Sequence, residues 1–518
     1  MRASPSDNTA RAEKFIAAGL SPEDPMSALG AMEIVDAPVQ EDGQIKAGKL
    51  AGKTMQEAIW ILAIPILLQQ TMAAGVGFVD KLIAGNLPHE IARSAMDGVG
   101  LGSFVGWFIG IAMAGLGVGG QVIIARSMGS GERGEGERAL GQSMLLSLAW
   151  GVLVALVMAL IAEPLARFSN LSPEGSAACV TYVQTLAWGI PFSGVMMVGA
   201  MCLHGAGETH KPFQIAVWVN VVNCIAAWLL SGVTISAFGA EIPNPSPTDP
   251  YTWGVFGIAL GSVISYAFGA WMTIRVLRRG VQDLKLHSSA LRFDPVMTKR
   301  IAIVGIPNFF EGLAMWSVNL FILGIIGEVA SRGIGTEAKD GLVGAHIITV
   351  QWEAFSFLPG FAMGTAAGAL AGQYLGAGNA RLAREAIWRC TFIGMAIMVS
   401  AGVIFMLFGR ALCSVISDDP IHLALVPQCL FASGALQVFF ALAMVVRNGL
   451  RGVGDTKWIL GITVFGCYAI RLPLAWYFGI SLSCGLVGIW WALMLEIAVR
   501  GMLFLARFRY GAWEKLRV

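Results

Sequence analysis

The sequence predicts an all-α integral membrane protein with twelve transmembrane helices, set as two pseudo-symmetric six-helix lobes around a central cleft. Three observations predict it. Of the 518 residues, 56% are hydrophobic and 13% charged, where a soluble domain carries about 25% charged residues. The apolar runs are long and unbroken, and about 20 such residues cross a bilayer as a helix. Two glycine motifs recur at one fixed offset.

The elements follow in order. Residues 1–54 are polar and mixed in charge, with no short apolar core ahead of a small-residue cleavage site. They are expected to form a flexible cytosolic tail, with a short amphipathic helix near Lys14–Leu20. The N-terminal lobe, 55–277, holds spans at 55–80, 98–121, 139–162, 178–203, 212–236 and 254–277. A basic linker, 278–300, leads to the C-terminal lobe, 301–507, with spans at 301–327, 342–370, 386–410, 423–449, 457–480 and 484–506. Residues 508–518 form a short cytosolic tail.

Lys and Arg set the orientation. The even-numbered connections and the C-terminus hold Arg126, Arg133 and Arg138, Lys211, the run from Arg275 to Arg300, Arg381, Arg384 and Arg389, Arg451 and Lys457, and Arg507 to Arg517. The odd-numbered connections hold Lys81, Arg93, Arg167, Arg332, Lys339 and Arg410. Both termini are therefore expected in the cytosol, in a plasma or inner membrane.

Gly129 and Gly131 recur as Gly376 and Gly378; Gly205, Gly207 and Thr209 recur as Gly452, Gly454 and Thr456, with an offset of 247 in each case. The chain reads as a duplicated six-helix unit. An even helix number keeps both halves in the same orientation, related by an axis along the membrane normal. Two such lobes can rock about a cleft between them. No filter-like polar run suggests a channel.

Other classes recede. A net charge of +2 offers no broad basic face to nucleic acid. The eight cysteines make no Cys-x-x-Cys pair, so neither a disulfide framework nor a metal cluster is expected. The six histidines are scattered and no nucleophile set accompanies them, which argues against an enzyme. The GxGxT turns lack the Lys-Ser/Thr of a phosphate loop. Gly205, Gly207, Gly452 and Gly454 are expected to permit tight turns, with Thr209 and Thr456 capping the next helix. No cofactor is expected, and energy has to come from an ion gradient. The partners are a small-molecule substrate and the lipid bilayer, with the chain acting as a monomer.

The paired GxGxT turns, the turns GSGERGEGERA and GAGNARLAREA, IP opening helices 1 and 7, GFVD ending helix 1, VNVVNCIAAW and RLPLAW stand in a familiar order. Over residues 55–507 the chain resembles the multidrug and toxic compound extrusion (MATE) family, within the multidrug/oligosaccharidyl-lipid/polysaccharide flippase group. The resemblance implies a secondary active antiporter that exports lipophilic or organic-cation compounds in exchange for protons or sodium. The alternative is a flippase of the same group for a lipid-linked or amphiphilic metabolite.

Asp80 is the leading site residue. A carboxylate inside a span costs about 2.5–3.5 kcal/mol and persists only if it faces water, pairs or takes a proton. It either pairs with Lys81, which helix geometry disfavours, or serves ion coupling, the role that the resemblance implies at this position. Pro65, earlier in the same helix, is either a hinge, as the resemblance implies, or a static kink. Asn220 and Asn223 share one face of helix 5 and either join Asp80 in a cation site or make packing bonds between helices. In the second lobe Glu311, Glu353 and Arg471 are coupling or substrate candidates. The resemblance implies a role for a helix 7 glutamate such as Glu311. Glu353 is expected to bind a substrate cation or to partner Arg447 or Arg471. Arg471 binds an anionic group or neutralises an acid, Arg447 snorkels to the interface, and Glu496 with Arg500 forms a structural ion pair. Met72, Met113, Met196, Met197, Trp316 and Met363 are expected to line the cleft.

Overall fold

The structure is a computed structural model that describes residues 45, 49–50, 52–168, 172–237, 240–334 and 341–516. The short helix expected near Lys14–Leu20 lies outside them. Twelve spans appear: α1 (Met55–Gly85), α2 (His89–Ser130), α3 (Arg133–Phe168), α4 (Pro173–Gly205), α5 (His210–Ser231), α6 (Pro250–Arg279), α7 (Pro295–Arg332), α8 (Leu342–Gly376), α9 (Ala380–Ser414), α10, α11 (Thr456–Ser481) and α12 (Gly485–Tyr510). α10 is a broken span, Pro420–Ala435 followed by Gln437–Gly452, bent by 61°. The one sheet among the described residues is a hairpin between α5 and α6, with β1 (Ile235–Ala237) antiparallel to β2 (Ala240–Ile242).

The helix starts follow from local chemistry. Thr54 accepts the Glu57 N–H while the Glu57 side chain returns to the Thr54 N–H, a reciprocal cap for α1. Asp249, Asp294 and Asp419 each cap a helix whose first residue is proline (Pro250, Pro295, Pro420). The carboxylate satisfies free N–H groups and the proline removes one that would have had no partner. α10 and α11 carry π turns at Leu442–Val446, Phe465–Arg471 and Tyr477–Ser481. Such turns shift the side-chain register and frequently mark functional sites; here Arg447 follows the first and Arg471 closes the second.

Helices α1–α6 bury one core around Met113, Tyr182 and Ile258, and α7–α12 bury another around Phe405, Val426 and Trp490. The halves meet along α2 against α7 and α1 against α8. Gly115 and Gly305 stand so close at the α2–α7 crossing that a Cβ on Gly305 would strike the Gly115 backbone.

The halves are tied together at the end carrying the α2–α3, α4–α5, α8–α9 and α10–α11 turns. Arg126 donates to the Leu516 carbonyl (2.6 Å) and to the Val453 carbonyl (2.9 Å). Gln373 of α8 donates to the Gly205 carbonyl at 2.8 Å. The segment before α1 joins this end, because the buried Leu50 stands against Gly207 and Lys49 pairs with Glu208 at 2.6 Å. Within the 1–54 stretch expected to be a flexible tail, the apolar side chains of Ile45 and Leu50 bury with the core instead.

Candidate functional site

Asp80 ends the apolar face of α1 and is 1% exposed. Tyr182 of α4 donates its hydroxyl to Oδ2 at 2.7 Å, and Ser262 of α6 donates to the same oxygen at 3.1 Å. Asn223 of α5 donates through Nδ2 to Ser262 Oγ at 2.9 Å. Four helices thus converge on one carboxyl, with hydroxyl and amide groups and no basic partner among the described residues. Lys81 points to the exposed side of α1, as adjacent helical positions do. The Asn223 Oδ1 atom is buried without a hydrogen-bond partner, an acceptor standing open beside the carboxyl. A buried acceptor without a donor costs about 1–3 kcal/mol, so such a group invites a proton donor or a cation.

Asn220 does not join this set. Its Nδ2 donates to the Met72 carbonyl of α1 (2.8 Å) and the Ala216 carbonyl of its own helix (2.9 Å). It ties α5 to α1 where Gly75 leaves room for it. Pro65 sits inside α1, which runs unbroken from Met55 to Gly85.

Beside the acid lies a cavity of about 420 Å³. Val76, one helical turn before Asp80 on α1, lines it, while the buried Asp80 itself does not. The lining is mostly apolar, with Gln69, Gln70, Gln121 and His204 as polar points. Among the described residues Arg451 is the one formally charged member of the lining, and none of its members is acidic. Met196 and Met197 line the cavity as expected from sequence, whereas Met72, Met113, Trp316 and Met363 do not. Met113 is buried in the α1–α6 core and Met363 in a further core that α1 shares with the second half.

The second half surrounds two of its acids with arginines. Glu311 of α7 is clamped by Arg447 (3.2 Å) and Arg451 (2.6 Å), and it accepts the Thr463 hydroxyl at 3.3 Å. Arg447 therefore turns inward rather than snorkelling, because the buried carboxylate is the nearest countercharge. Glu496 lies between Arg471 (2.6 Å) and Arg500 (3.1 Å). Arg471 thus neutralises an acid, and the Glu496–Arg500 pair gains a third member. Glu353 pairs with neither Arg447 nor Arg471, since both are already engaged. Its Oε1 accepts the Ser433 hydroxyl at 2.9 Å, and Gln437 donates to Ser433 and Ser356.

The turns also differ from expectation in part. Gly207 (φ 78°) and Gly454 (φ 92°) occupy left-handed backbone that favours glycine. Thr209 stands at the start of α5, but its hydroxyl donates to the Ile61 carbonyl of α1 at 3.0 Å. Glu208 caps α5 in its place, accepting from the N–H groups of His210 and Lys211. Thr456 is already inside α11, and Asp455 before it is held by Arg507 at 2.7 Å.

The MatE family model matches residues 65–229 and again residues 307–477. The chain belongs to the MatE family. It is a multi-pass membrane transporter, not an enzyme. Along 459 residues it is 26% identical to the Thermotoga maritima "Probable multidrug resistance protein NorM", covering 88% of this chain and 93% of that one. Among solved structures, a MATE protein in the bent conformation matches with a TM-score of 0.77 at 19% identity, covering 88% of this chain and 95% of that one. Another, in the straight conformation, matches at 0.76 and 20% identity, covering 90% and 98%.

Tyr182 and Ser262 escaped the sequence reading, as did Arg451 as a cavity residue. Hydroxyls are common in apolar helices and carry no signal on their own. Arg451 read as one more basic residue in a cytosolic connection.

Proposed function

We propose that this MatE transporter is a secondary active efflux antiporter of the plasma or inner membrane. It exports lipophilic organic compounds, organic cations among them, in exchange for protons, with sodium as the competing coupling ion. One observation carries the reading: a buried carboxyl on α1, Asp80, held by neutral donors in the half that lines most of an apolar cavity. An acid with no basic partner is free to change its charge.

Ionised, Asp80 accepts from Tyr182 and Ser262. Protonated, it becomes a donor, and Asn223 Oδ1 is the open acceptor within its set. The switch redistributes bonds among α1, α4, α5 and α6. Pro65 lacks a backbone donor, so α1 bends there at low cost. Asn220, gripping the Met72 carbonyl, passes a movement of α1 to α5 beside the cavity. With both termini cytosolic, the tied end of the lobes faces the cytosol, and rocking would release those ties to admit substrate.

Reconstituted vesicles test this. An imposed proton gradient should drive accumulation of a fluorescent lipophilic cation by the native chain and leave Asp80→Asn at the level of empty vesicles. A sodium gradient acting alone with equal effect would replace the proton by sodium. Equal transport by both chains would remove Asp80 from the mechanism. Transport of an amphiphilic lipid metabolite, and of no drug-like compound, would favour the flippase.

A further inference from the structure

We infer that the C-terminal half contributes an anion subsite to the transport cavity, in which Arg451, supported by Asn448, receives the carboxylate of an amphiphilic substrate. This rests on the cavity being the transport site.

The argument begins with charge. Arg447, Arg451, Arg471 and Arg500 surround the carboxylates of Glu311 and Glu496. Glu353 is the remaining acid in their vicinity, and even counted as ionised it leaves the guanidinium groups in excess. Arginine does not release its proton in proteins. An uncompensated buried charge costs several kcal/mol, so the cluster calls for a further anion.

Geometry says where that anion enters. Arg447, Arg471 and Arg500 are at most 9% exposed through their side chains and sit behind the wall, whereas Arg451 is 18% exposed and reaches the cavity. Arg451 Nη1 donates to Asn448 Oδ1 at 2.9 Å, which orients the guanidinium plane. The Nε atoms of Arg447 and Arg451 are buried with no hydrogen-bond partner. Asn448, which also lines the cavity, stands beside Arg451. A guanidinium with a flanking amide in an apolar chamber suits a carboxylate joined to a flat apolar body. With Arg451 as the one formally charged lining residue among the described residues, the chamber offers one place for a negative group, alone or in a zwitterion, beside apolar surface that takes the body of other lipophilic substrates.

Equilibrium dialysis of the purified full-length chain in detergent tests the subsite with labelled 2-naphthoate and its neutral primary amide. The native chain should bind the acid about tenfold more tightly than the amide, the worth of one charge-assisted pair. Arg451→Gln should erase that preference. Asn448→Asp supplies an internal carboxylate at the same place. It should raise the thermal midpoint yet abolish the preference, a combination that misfolding does not produce. Equal binding of acid and amide by the native chain, no binding of either, or a preference that survives both substitutions would overturn the subsite. Acid-selective binding without gradient-driven transport in vesicles would keep the subsite and overturn the efflux reading.

Discussion

Asp80 and Glu311 each lie on the first helix of their half, and both are buried to 1% exposure. Their surroundings are opposite. Asp80 meets two hydroxyls and no cation, while Glu311 meets two guanidinium groups and one hydroxyl. A carboxylate among neutral donors can take and lose a proton without leaving a countercharge stranded. A carboxylate between two arginines is held in one charge state, because removing its charge strands both partners. Asp80 and Glu311 thus stand in opposite settings on the first helix of the two halves, while Glu353 of the second half, held by a neutral hydroxyl, resembles Asp80 rather than Glu311.

Substitutions can break or sharpen this contrast. Asp80→Asn should have the largest effect on transport, lowering gradient-driven flux in vesicles to background while the folded protein survives. Glu311→Gln should have the largest effect on stability, about 3–5 kcal/mol, because two buried guanidinium groups lose their shared acid. Thermal unfolding in detergent measures it. If Asp80→Asn destabilises as much as Glu311→Gln, the two acids are alike and the contrast fails. Tyr182→Phe deletes one donor to Asp80, worth about 1.5–3 kcal/mol. Flux in vesicles should fall about tenfold without vanishing, and an unchanged rate would take Tyr182 out of the coupling set. Pro65→Ala restores a backbone donor within α1. Flux should drop a few-fold while the thermal midpoint rises, and native flux would argue for a static kink. The smallest effect belongs to Gly454→Ala at φ 92°, which should cost about 1 kcal/mol and leave the number of ions exchanged per substrate untouched.

The architecture was legible because lipid punishes any departure from long apolar helices. Each of the twelve spans lies where its apolar run does. The α10 bend and the π turns of α10 and α11 were not, since tertiary packing rather than local pattern sets them. Asp80 announced itself by the cost of a charge in a span. Its partners did not, because Tyr182 and Ser262 come from helices far along the chain. The arginines misled most. Charge counting treats Arg451 as a topological marker and Arg447 as an interfacial residue, and only the position of Glu311 draws both inward. Glu353 was correctly placed in a span, but its partner, Ser433, carried no signal of its own.

Arg126 grips its opposite half solely by main-chain carbonyls, those of Val453 and Leu516. A grip on carbonyls ignores side-chain identity, so mutational drift at those two positions leaves the clasp intact, whereas loss of Arg126 itself dissolves it in one step. The Leu516 carbonyl also makes the chain's C-terminal stretch one jaw of the clasp. A spin label placed beside it would report whether the clasp opens when substrate is added.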